Sequence, residues 1–90
     1  MHFDVFFSIC QTPVAGSYPD ESQMFRNFFE QVELADELNY QCAWVAESHL
    51  STEVQKENCQ PVVPHFKGEI GLNVDFLQLA QAVFARTKNI

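Results

Sequence analysis

Glu47, Ser48 and His49 follow one another directly after the apolar run Cys42-Ala43-Trp44-Val45-Ala46. A carboxylate beside an imidazole can orient a substrate or shuttle a proton, because histidine titrates near neutral pH and a neighbouring carboxylate tunes it. Ser48 adds a hydroxyl, which cannot act as a base near neutral pH without activation. A thiol, Cys10, closes a second apolar segment, His2 to Ile9. Buried cysteines most often act as small apolar residues, so Cys10 is read either as core or as a pocket wall. Glu47 and His49 have a plain alternative too, as solvated polar residues of a loop.

Chemistry at these positions depends on the elements that carry them. His2 to Ile9 is rich in Phe and Val and is followed by the breakers Pro13, Gly16 and Pro19, so it is expected as a buried strand. Asp20 and Gln23 have capping-box spacing, and Glu21 suits the positive helix end. Apolar residues then recur at Met24, Phe25, Phe28, Phe29, Val32, Ala35 and Leu38, a helical packing face with Asn39 as a left-handed stop. Glu30, Glu33, Asp36 and Glu37 read as the solvated side of that helix. Cys42 to Ala46 is too short for a helix and is expected as a strand covered on both faces, with Trp44 in the core.

Between the two strands run about thirty residues including the helix, too many for a hairpin and suited to a parallel β-α-β unit. Ser51 to Gly71 carries Pro61, Pro64, Gly68 and Gly71 and is expected as a long loop of the kind that serves as a lid or binding loop. Asn73 is the expected cap of a second helix begun by Asp75, with Phe76, Leu79, Ala80, Val83 and Phe84 as its apolar face. Arg86 and Lys88 complement its negative end. Asn89-Ile90 stands where a third parallel strand would begin. The order is β-α-β-α, an α/β arrangement with the candidate residues beyond the carboxyl ends of the strands, where such folds place ligands.

Ninety residues are expected to form a single partial domain over 1–90, with apolar residues at 47% and charged residues at 19% arguing for a packed core. A net charge of −7 repels phosphate backbones and anionic lipid, so nucleic acid and membrane are not expected partners. No apolar stretch approaches the ~20 residues that cross a bilayer, and Asp4 without a basic flank argues against a signal peptide. Cys10, Cys42 and Cys59 make no disulfide pattern, which fits reduced thiols in the cytoplasm.

The run Ala43-Trp44-Val45-Ala46-Glu47-Ser48-His49-Leu50, after a helix ending Ala35-Asp36-Glu37-Leu38-Asn39-Tyr40, resembles the second strand of the bacterial luciferase-like flavin-dependent monooxygenases, commonly W-[VL]-x-E-H-H-F. His2-Phe3-Asp4-Val5-Phe6-Phe7 is similar to that family's first strand, and Asn73 to Ile90 to its second helix running into a third strand. The resemblance implies an amino-terminal quarter of a (β/α)8 TIM barrel. It implies reduced FMN, or the deazaflavin F420, acting with oxygen on a small organic substrate. Carried over by position, Glu47 and His49 match the Glu and second His of the motif, while Ser48 stands where the first His is usual, a departure at the position that is catalytic in luciferases. Cys10 falls near the family's flavin and substrate pocket.

A quarter barrel lacks the phosphate-gripping loops that follow strands seven and eight, and no G-x-G-x-x-G or P-loop replaces them, so the chain alone is expected to be inactive. Homo-oligomerisation or association with the remainder of a barrel is expected. Two rival readings stand beside this one. Cys42, His49, Cys59 and His65 form a candidate metal set, with gaps longer than zinc sites normally show. Alternatively the chain is a non-enzymatic module that oligomerises through open sheet edges.

Overall fold

A computed structural model describes residues 1–11, 15–49, 73 and 75–90. In chain order the elements are strand β1 (Asp4–Phe7), helix α1 (Glu21–Glu37), strand β2 (Cys42–Val45) and helix α2 (Phe76–Phe84). The strands pair in parallel, with Asp4 opposite Cys42 and Phe7 opposite Val45. This is the expected β-α-β-α order around a parallel pair. Among the described residues the sheet has these two strands alone, and Asn89-Ile90 lies outside any strand. The expected loop from Ser51 to Gly71 lies outside the described residues. No described helix is long and apolar enough to cross a membrane.

Helix α1 begins and ends on its expected signals. Asp20 Oδ1 accepts the Gln23 N–H at 2.7 Å, satisfying one of the orphan donors of the first turn. At the other end Asn39 adopts φ 61°, the Tyr40 N–H reaches the Ala35 carbonyl and the Asn39 N–H reaches that of Asp36. This is a Schellman ending, in which asparagine is one of the few side chains that tolerates the left-handed residue. Helix α2 is capped by Asp75, whose Oδ1 accepts the Gln78 N–H at 3.1 Å. The expected cap, Asn73, is thereby corrected: it lies before the helix start and is buried, with its side chain turned to β2.

Both helices contribute to one face of the sheet. Phe7, Ile9, Phe28, Val32 and Val83 form the buried core, with Val5, Ala43, Val45, Phe25, Phe29, Leu79 and Ile90 packed around them. The edge-to-face pair of Phe7 and Phe28, with centroids 5.0 Å apart, joins β1 to α1. The packing face expected of α1 is thus present.

Among the described residues nothing covers the second face of the sheet. Phe6 and Trp44 sit opposite each other in register and are 66% and 58% exposed, and the Trp44 indole N–H donates to Asp4 Oδ2 at 3.0 Å. The expectation of a β2 covered on both faces with Trp44 in the core is therefore corrected: one layer of helices covers one face, and alternation along the strand turns Trp44 to the other. β1 is also shorter than expected. Ile9 turns out of the strand direction with φ 49°, a region that costs a β-branched residue about 1–2 kcal/mol. Its side chain is 6% exposed within the core, a burial that contributes about 1.5–3 kcal/mol and offsets the strain.

Asp36 departs most from its expected role. Its spacing groups it with the solvated acidic side of α1, yet it is 7% exposed. Its carboxylate accepts three backbone N–H groups, from Lys88 on Oδ2 and from Asn89 and Ile90 on Oδ1, each at 2.8 Å. Burial of a carboxylate requires such partners, and three N–H donors supply them. The Lys88 N–H, more than any other contact, lowers the Asp36 pKa below its ordinary value, with Asn89 and Ile90 adding to the effect and burial opposing it.

Candidate functional site

Because β1 and β2 run in the same sense, their carboxyl ends emerge on one side of the sheet. The Ala46 N–H donates to the Phe7 carbonyl at 2.9 Å, carrying the pairing one residue past β2. Beyond it the chain turns through Glu47, Ser48 and His49. Asn73 holds this turn from two directions: its side-chain NH2 donates to the Ala46 carbonyl at 3.0 Å, and its own carbonyl accepts the Ser48 N–H at 2.9 Å. A buried amide bonded in this way fixes the backbone under the candidate residues, since leaving either group unpaired would cost about 1–3 kcal/mol.

Glu47 bridges two neighbours. Oε1 accepts the Phe76 N–H, the first of α2, at 2.6 Å, and Oε2 lies 3.5 Å from His49 Nε2. The first contact is a short charge-assisted hydrogen bond at a helix amino terminus, where the peptide dipoles favour a negative charge. The second is a loose contact that becomes an ion pair when His49 is protonated. The side chains of His49 and Glu47 are 68% and 42% exposed. An imidazole anchored on one side and open to solvent on the other can exchange protons with a bound molecule. Ser48 is half-buried between them.

Cys10 occupies a different place. It is half-buried, its thiol lies 3.6 Å from the Ser8 carbonyl, and it borders a cleft of about 270 Å³ with Phe6, Met24, Asn27 and Gln31. That cleft is lined from β1, the turn after it and α1, and Glu47, Ser48 and His49 are not among its walls. The structure therefore brings Glu47, Ser48 and His49 together and leaves Cys10 on a separate cleft at the same end of the sheet. Asn73 and the start of α2 complete the site, and the sequence does not single them out for it. Asn73 has the form of a helix cap, and nothing in its spacing distinguishes a cap from a strand-end clamp.

The residues flanking the described strand ends, Ser8 to Gln11 and Ala46 to His49, include no Lys or Arg. Neither stretch offers the phosphate of FMN a cationic partner. The described site does not fit the whole cofactor. Among the described residues no group of three or more His, Cys, Asp or Glu could hold a metal ion, and Cys59 and His65 of the metal reading lie outside them.

Comparison with protein-family models, with curated proteins and with solved structures yields no match to this chain.

Proposed function

We propose that this chain is the amino-terminal β-α-β-α part of a luciferase-like (β/α)8 barrel, a flavin-dependent monooxygenase acting in the cytoplasm on a small organic substrate. The observation that carries this reading is the Glu47-Ser48-His49 turn at the carboxyl end of a parallel strand pair, on a sheet with helices on one face and exposed aromatics on the other. In a barrel the bare face with Phe6 and Trp44 would be interior, and the rim would carry the chemistry. On this reading His49 exchanges a proton with substrate, Glu47 holds the imidazole in place, and Ser48 offers a hydrogen bond. Cys10 lines the neighbouring wall for reduced FMN or F420. The cofactor supplies the redox chemistry when bound. Its phosphate would be gripped by later units, so the 90-residue chain by itself should bind FMN no better than millimolar.

A flavin titration checks this: micromolar or tighter FMN affinity of the chain alone contradicts the division of labour between rim and phosphate grip. In a barrel completed by the reading frame after Ile90, His49→Ala should lower kcat by about 10²–10⁴-fold, the usual worth of a general acid or base. Unchanged turnover in that variant would remove His49 from the mechanism.

A second reading has its own observation. The outer edges of β1 and β2 are unpaired among the described residues, and such edges favour addition of further strands from another copy. Sedimentation at micromolar concentration separates the two, since a stable, folded monomer is inconsistent with a module that must oligomerise.

A further inference from the structure

The segment after α2 is held by α1 at two places. Arg86 Nε lies 3.3 Å from Glu33 Oε1, and its guanidinium stacks 4.3 Å over the Phe29 ring. Asp36 then takes the N–H groups of Lys88, Asn89 and Ile90. The consequence is felt at Ile90, whose side chain packs against the core and forms part of the wall of an apolar groove of about 120 Å³. Cys42, Ala43 and Val45 of β2 and Leu79 and Val83 of α2 form other parts of that wall.

We propose that residues 88–90 are a strap, fastened by the Asp36 carboxylate so that Ile90 closes one wall of the apolar groove beside β2, and released when that carboxylate is neutralised. The chemistry requires the charge. A carboxylate offers lone pairs alone, and all three strap groups are donors. A protonated acid turns one oxygen into a donor facing a donor, and an asparagine does the same with its NH2. The charged groups around Asp36 are Lys88 on the strap, Arg86 just before it, and Glu33 and Glu37 on α1, all bordering one cleft with Asp36. Lys88 favours the ionised form. Arg86 is engaged by Glu33, which leaves the three N–H groups as the main hold on the strap.

The direction with pH comes from the lowered pKa. At pH well above the ordinary value of 3.8, Asp36 is ionised both folded and unfolded, so its contribution is complete there. It is lost as pH falls below 3.8 through the still lower folded value.

The test is amide hydrogen exchange of the whole chain by NMR, for the wild type at neutral and acid pH and for Asp36→Asn and Glu33→Gln at pH 7. In Asp36→Asn the protection of the Lys88, Asn89 and Ile90 amides should fall, furthest where an amide is left facing the new NH2, while that of Val32 persists; Glu33→Gln should retain it. The wild type should lose the same three before the core on acidification. Protection of 88–90 surviving in Asp36→Asn overturns the strap. So does loss in step with Val32 in the acid titration, or an Asp36→Asn chain that does not fold, because Asp36 would then hold the fold rather than fasten a strap.

Discussion

Two carboxylates tie α2 and the segment after it to the rest of the molecule, and they do so under opposite conditions. Glu47 reaches the first N–H of α2 from an exposed turn and shares its other oxygen with His49. Asp36 is buried in α1 and spends both oxygens on three backbone donors after α2. One has both oxygens taken by main-chain donors and holds for as long as it is charged. The other keeps a side-chain partner, His49, and a solvent-facing side. Acidic residues in one small fold thus divide into anchor and participant according to burial and partner type, not residue identity.

The sharpest way to break this contrast is to remove each anchor in turn and follow thermal unfolding. Asp36→Ala strands three donors and uncovers the contact of Ile90 with the core, so it should lower Tm most. A Tm shift no larger than that of Glu47→Ala would erase the distinction. Next comes Asn73→Ala, which removes the donor to the Ala46 carbonyl under the Glu47 turn. It should cost about 1–3 kcal/mol, roughly the penalty of one buried unpaired group, and chemical denaturation will read it as a lower midpoint with an unchanged slope. The smallest effect belongs to Glu47→Gln, which keeps an acceptor for Phe76 and loses the charge. It should cost at most about 1 kcal/mol, as exposed charge interactions do. A larger loss by the same assay would place Glu47 with Asp36 among the structural anchors.

Local rules make the limits of α1 legible, since Asp20 with Gln23 and the left-handed Asn39 act within a few residues of themselves. The parallel pairing is legible from connection length, and with it the position of Glu47, Ser48 and His49 at a strand end. The roles of Asp36 and Asn73 are not. Asp36 sits in an acidic stretch with the spacing of a solvated helix side, and the groups that bury it lie 52 to 54 residues further on. Asn73 and Asp75 are both competent caps two positions apart, and only the approach of the Ala46 carbonyl decides between them. For Trp44, a four-residue apolar strand has no alternation of polarity from which its outward face could be read. Cys10 shares an end of the sheet with His49, but the turn at Ile9 and the packing of α1 set its cleft, and neither is written in the strand.

Trp44 is the chain's single tryptophan, and its indole lies in water on the bare side of the sheet, tied to Asp4. Intrinsic fluorescence is therefore a built-in reporter for that side. Its emission starts red-shifted in the isolated chain and moves to the blue as soon as another layer, from whatever source, closes over Phe6 and Trp44.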